Sequence, residues 1–325
     1  MTFLLLLLAL VARPADPRAA LEEKFRAIAA TAGGTVGVSV LNLETGRGAS
    51  LHGHERFPMA SVFKLAVAVE LLSRADRGAV RLDQKRTLAP ADIRPGGPLS
   101  QRAPDGGLAL TVGELLEAML VEGDNTAADL LLPLAGGPEV VTAQLEAVGL
   151  GDIRVDRSEL ELLFDVAGVA AAPPRSTRTL ATIRAAAAAV PEATHREAFT
   201  KFLADPRDTA TPDALVQLLR QVQEGRRLTP ESRERLLALM ARTLPGAGRL
   251  KGQLPAGTPV AHRTGTGLDF GSTNLCTNDV GLVTLPDGRG RFAIAVLVKG
   301  SDRSLAAREK AIAEITRAAY DYWMR

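Results

Sequence analysis

The sequence predicts a mixed α/β fold carrying an all-α part: an antiparallel sheet flanked by N- and C-terminal helices, with a helical domain inserted into it. Three observations lead there. Alternating apolar residues, the mark of a half-buried strand, occur near the start of the chain and again towards its end. A long block of helical periodicity separates them, and one amphipathic helix closes the chain. If the first strands pair with the last, the middle helices are an insertion. A chain of 325 residues exceeds one small core and suits two lobes. The boundaries drawn are 18–60 and 209–325 for a discontinuous α/β domain and 61–208 for the helical one.

Each element has its own signal. Residues 18–32 place Leu21, Phe25, Ile28 and Ala29 on one stripe and end at Gly33-Gly34, a helix with its stop. Residues 35–42 alternate Val36, Val38 and Val40 with Gly37 and Ser39, and Glu44-Thr45-Gly46 turns that strand into a second, through Leu51. A helix runs from near Ser61 to Gly78. Others follow at 112–121, at 125–134 behind Asp124 as cap, and at 139–148. Residues 150–175 show no regular period and read as a long loop, a kind of segment that is usually functional. Helices are expected at 179–190, 212–224 and 230–243. Strands return at 259–263, 277–285 and 291–298, the last two around the Asp287-Gly288 turn, before a helix at 305–322.

Composition narrows the function. There are 39 basic and 37 acidic side chains, a net charge of +2, and no basic cluster, so nothing electrostatic points to nucleic acid. His52, His54, His195 and His262 form no convincing ligand set; no metal or other cofactor is expected. The single cysteine, Cys276, excludes an intramolecular disulfide and reads as a small buried residue. Residues 3–12 are an apolar run followed by Arg13-Pro14, too short for a comfortable bilayer span but suited to the core of an export signal. Residues 1–17 are therefore taken as that signal and the protein as exported, periplasmic or extracellular. No later segment is long and apolar enough to cross a membrane.

The chemistry-bearing residues begin with Ser61 and Lys64, three apart on a predicted helix and so on one face. A serine hydroxyl needs a base within hydrogen-bond reach to attack a carbonyl, and a crowded, buried lysine can lose its proton near neutral pH. Gly123-Asp124-Asn125 and Arg263-Thr264-Gly265 lie downstream. Each has an ordinary alternative. Ser61 and Asp124 are good helix caps, Asn125 suits a helix surface, and residues 264–267 suit a glycine turn. For Asp124 the cap is the preferred reading.

Taken together and in this order, the three segments resemble the S-x-x-K, S-D-N and K-T-G boxes of the class A β-lactamases and their penicillin-binding relatives. The resemblance runs from about Arg18 to the C-terminus and includes the flanks at residues 205–212 and 250–264. It implies a serine β-lactamase-like fold, a monomer acting on a small-molecule β-lactam, and a Ser61 acyl-enzyme. Lys64 is then the proton partner and Asn125 a ligand of Lys64 and of the substrate amide. Arg263, Thr264 and Gly265 bind the substrate carboxylate, and the backbone N–H groups of Ser61 and Thr266 form the oxyanion hole. Glu159, in Arg157-Ser158-Glu159, is the base that activates the hydrolytic water, with Glu161 as a rival. Arg157 and Asp208 tie the ends of an active-site loop spanning about 150–208.

Four departures accompany the resemblance. Gly123 replaces the serine that passes a proton to the leaving nitrogen. Arg263 replaces the commoner lysine. Leu163 stands where the family has asparagine. Residues of about 167–203 are an insertion with helices of its own. A D-alanyl-D-alanine peptidase or a penicillin-binding hydrolase with poor deacylation is the alternative these departures leave open.

Overall fold

The computed structural model describes residues 16–325. The predicted signal at 1–17 lies almost wholly outside that range. The main sheet is antiparallel and built from both ends of the chain. Strands β1 (Thr35–Asn42) and β2 (Gly48–Leu51) come from the N-terminal part. β3 (Val260–Thr266), β4 (Thr273–Thr284) and β5 (Arg291–Ser301) come from the C-terminal part. The order is β2-β1-β5-β4-β3, with Asp269–Phe270 paired to the start of β4. The join between first and last strands is the β1–β5 ladder, with Val36 opposite Val298, Val38 opposite Val296 and Val40 opposite Ile294.

Side-chain alternation divides the interior. Val36, Val38, Val40, Ile294, Val296 and Val298 face one way and pack against Leu21 and Phe25 of α1 (Pro17–Ala32) and Ile312 and Ile315 of the C-terminal helix (Leu305–Met324). Ala293, Ala295 and Leu297 face the other way, into the core shared with the middle helices. β5 is thus covered on both faces, which explains its nearly unbroken apolar sequence.

The middle of the chain supplies α2 (Phe63–Asp76), α3 (Val112–Glu117), α4 (Asn125–Leu131) and α5 (Pro138–Glu146). Then come α6 (Glu159–Ala167), α7 (Leu180–Ala188), α8 (Glu192–Ala204), α9 (Pro212–Gln223) and α10 (Pro230–Ala241). The helix expected from Ser61 opens as a 3-10 turn, Ala60–Val62, before α2 begins. The helix expected at 112–121 ends early and passes into a π turn, Ala118–Glu122.

The main correction concerns residues 150–175, expected to be irregular. They contain α6, started by a capping box in which Ser158 Oγ accepts from Glu161 N and the Glu161 carboxylate accepts from Ser158 N. Its run of Leu160, Leu162, Leu163, Phe164 and Val166 hides the helical period because the helix is apolar on more than one side. The segment after α6 folds back as α7 and α8. His195 and Phe199 of α8 pack against Phe270, with ring centroids at 4.7 and 5.7 Å, which ties this segment to the tip of the β3–β4 hairpin.

Candidate active site

The site is assembled where β3 passes the turn that carries Ser61. Gly265 makes that passage possible: a Cβ there would lie 2.3 Å from Met59 O. Asn278 Nδ2 donates to Pro58 O at 2.8 Å and to Met59 O at 3.0 Å, and Met59 N donates to Asp208 O. A two-residue ladder sets Phe57 opposite Ala210 and Pro58 opposite Thr209. Ala60 is held at φ 43° and Asp208 at φ 52°, left-handed backbone that non-glycine residues adopt only under constraint. Two of the four such residues among those described thus lie beside Ser61 and at the end of the 157–208 loop; the others are His52 and Asp287.

Lys64, one helical turn on, has no solvent exposure. Its Nζ donates to Gly123 O at 2.8 Å and Asn125 Oδ1 at 2.6 Å, and it pairs with Glu159 Oε1 at 2.8 Å. Burial pulls the Lys64 ammonium below its ordinary value, and the adjacent Glu159 carboxylate opposes that pull. Ser61 Oγ donates to the same Glu159 Oε1, at 3.3 Å. One carboxylate oxygen therefore serves the serine and the lysine together. Asn125 is held from its other end, Nδ2 donating to Pro95 O.

Glu159 is the first residue of α6, and its position depends on residues that the sequence reading missed. Its backbone N donates to Asp129 Oδ1 at 2.6 Å, and Leu160 N donates to Asp129 Oδ2 at 3.3 Å. Buried Asp129 is paired in turn with Arg94 Nε at 2.6 Å. Asp129 follows Asn125 by four residues, on the same face of α4, so its spacing was a usable signal. Nothing local pointed to Arg94 or Asn278. Glu161, the rival base, spends its carboxylate on the Ser158 cap.

Asp124 caps α4, accepting from Ala127 N at 2.9 Å and also from Leu99 N at 2.8 Å. Arg157 and Asp208 do pair, Nε to Oδ2 at 2.6 Å. Arg157 also meets Asp165 at 2.7 Å and Asp205 at 3.2 Å, and its guanidinium lies over the Phe202 ring.

Ser61, Asn125, Glu159 and Thr266 line one cavity of about 280 Å³, with Leu162, Leu163, Val166, Phe202 and Leu275 as its apolar wall. Arg263, Thr264 and Gly265 stand behind that lining as buried residues of β3. The Arg263 guanidinium donates from Nε to Ser61 O at 3.1 Å and from Nη1 to Leu120 O at 3.2 Å, and burial pushes its pKa down to about 10. His262, next to it, turns to the other face of the strand, where Nδ1 meets both oxygens of Asp279 at 2.9 Å.

The chain has relatives in sequence and in fold. Residues 20–323 match the family described as the β-lactamase enzyme family. The chain is 29% identical over 293 residues to β-lactamase VEB-1 of Pseudomonas aeruginosa, covering 89% of this chain and 85% of that protein. It is 30% identical over 292 residues to a β-lactamase of Bacteroides uniformis, covering 88% and 86%. A solved β-lactamase from Chitinophaga pinensis superposes with a TM-score of 0.77 at 31% identity, covering 93% of this chain and 98% of that one. Matched over nearly its whole length, and with the folded frame those enzymes share, the chain belongs to the β-lactamase enzyme family.

Proposed function

We propose that this protein is a serine β-lactamase that opens β-lactam amides through an acyl-enzyme on Ser61, acting as a monomer after export. The observation that carries the reading is Glu159 Oε1, within reach of both Ser61 Oγ and Lys64 Nζ at the head of the cavity. In acylation the Ser61 proton leaves to this Lys64–Glu159 pair. Oγ bonds to the lactam carbonyl carbon, and the oxyanion sits on the backbone N–H groups of Ser61 and Thr266. Collapse breaks the C–N bond, the departing nitrogen takes up the proton that Ser61 gave to the pair, and an ester remains. In deacylation Glu159 takes a proton from a water, the resulting hydroxide attacks that ester, and the proton returns from Glu159 to the departing Ser61 Oγ. General-base help of this kind contributes about 10²–10⁴-fold.

A peptidase or slow penicillin-binding hydrolase needs no loop carboxylate against its serine. The anchoring of Glu159 by Asp129 supports hydrolysis over that alternative. The test is intact mass spectrometry of the protein mixed with benzylpenicillin. A transient adduct on Ser61 with product release is expected from the wild type, and a long-lived adduct from Glu159→Ala. A persistent wild-type adduct would favour the penicillin-binding reading, and folded protein with no adduct would remove Ser61 as nucleophile.

A further inference from the structure

The Gly123 position leaves the reaction without its usual donor to the departing nitrogen, and the structure offers another group at that point. A Cβ built on Gly123 would stand 3.5 Å from Arg263 Nη2 and 3.6 Å from Nη1, with Pro245 Cγ at 3.8 Å as the opposite wall. Gly123 has φ 78°, so its missing side chain leaves a space that other residues enter only with strain. The guanidinium borders this space from a side chain that is only 1% exposed. Nε and Nη1 are committed to Ser61 O and Leu120 O, whereas Nη2 has no hydrogen-bond partner among the described residues. A charged donor that no protein group satisfies, bordering a vacated side-chain position, is a place for a water.

We propose that Arg263 is a positioning residue for the leaving group: its Nη2 holds a water over Gly123, and that water protonates the lactam nitrogen when the ring opens. The assignment rests on the β-lactamase reading. The proton balance is closed. The Ser61 proton passes to Lys64 as Oγ bonds to the carbonyl carbon. As the C–N bond breaks, the nitrogen takes a proton from the water, and the water recovers one from Lys64, whose Nζ already lies 2.8 Å from Gly123 O. Arg263 stays charged throughout; it orients the water, and its charge favours release of the proton from Lys64. Gly123 and Arg263 are then a matched pair, a small residue making room for what a long one holds.

The experiment compares two substrates with the same acyl group and the same carboxylate, one an amide-type β-lactam and one an acyclic thioester. A departing thiolate needs no proton; a departing amide nitrogen does. Acylation rates are measured by stopped flow for wild type, Arg263→Lys, Gly123→Ser and the double variant, with melting curves to verify folding. Arg263→Lys is expected to lower the amide-to-thioester rate ratio at least tenfold, within the range of general acid catalysis. Gly123→Ser is expected to restore that ratio when combined with Arg263→Lys but to bring no gain when Arg263 is intact. Gly123→Ala, whose Cβ fills the space in van der Waals contact with the guanidinium, provides the same amide-selective loss should Arg263→Lys fail to fold, its backbone strain being read from the melting curve. Equal losses on both substrates would assign Arg263 to carboxylate binding or to packing and overturn the proposal. Independent, multiplicative effects of the two substitutions would also overturn it. Absence of any Ser61 adduct in the wild type would defeat the β-lactamase reading itself, which is a different result.

Discussion

Asp129→Ala tests whether Glu159 works because it is held in place. Asp129 accepts the first two backbone N–H groups of α6 and neutralises buried Arg94, whose guanidinium otherwise donates, among the described residues, to the carbonyls of Ala91 and Ile93. Removing one partner of a buried ion pair costs about 3–5 kcal/mol of stability, since the other charge is left unpaired. The catalytic cost has a separate origin. Glu159 Oε1 stands at 3.3 Å from Ser61 Oγ because the backbone of its own residue is pinned. Freed, the carboxylate stays in the chain but loses its fixed approach, and deacylation is expected to slow by about 10²-fold, within the range of a lost general base. Asp129→Asn keeps an acceptor but not a charge. Its loss should be about fivefold, matching the roughly 1 kcal/mol between charged and neutral hydrogen bonds. The assay is the lifetime of the penicillin adduct by intact mass, read beside urea unfolding. In the Glu159→Ala background, Asp129→Ala should lengthen that lifetime no further. An unchanged adduct lifetime in Asp129→Ala, or an undiminished effect in the double variant, would refute the argument.

Three other outcomes are expected. Leu163→Asn places a polar group on the cavity wall beside Glu159 and should speed deacylation several-fold, about the effect of one net hydrogen bond of 0.5–1.5 kcal/mol, read as kcat where acyl-enzyme accumulates. Arg157→Ala strips buried Asp208 of its counter-ion and should lower stability by about 3–5 kcal/mol in denaturant titration, with adduct lifetime rising as well because the loop ends part. Cys276 is fully buried and burial pushes its thiol up to about 12, so a thiol reagent at pH 8 should label it only in unfolded protein; rapid labelling of the native protein would contradict its placement.

What was legible in the sequence follows from range. Ser61 and Lys64 are read from a spacing of three, and the Asp124 cap from its place before a helix, because one turn of helix determines both. The β1–β5 pairing was legible because alternation appears at both ends of the chain and nowhere between. Asn125 and Glu159 were legible only through a family resemblance, since no local period says that they will meet Lys64. Arg94 and Asn278 carried no signal: their partners are 35 and more than 200 residues away, and any buried arginine or strand asparagine looks the same. Helix α6 was read as loop because only Glu161 and Asp165 mark its exposed face, too narrow a polar stripe over nine residues to show a period. For Arg263 the sequence showed a cation but not its direction, and direction separates a carboxylate anchor from a neighbour of Gly123.

The Arg157–Asp208 clasp joins residues 51 apart. With the Phe57–Ala210 ladder beside it, the clasp closes a ring whose circumference is almost free to vary: halving or doubling a loop changes its closure by only about 0.6 kcal/mol. Everything Glu159 depends on lies at the ring's neck, in Asp129, Asp208 and the Ser158 cap. Helices α7 and α8 therefore behave as a cassette threaded through a fixed buckle. A longer or shorter cassette would reshape the cleft mouth while the hydrolytic centre keeps its register, provided Phe202 stays under the Arg157 guanidinium.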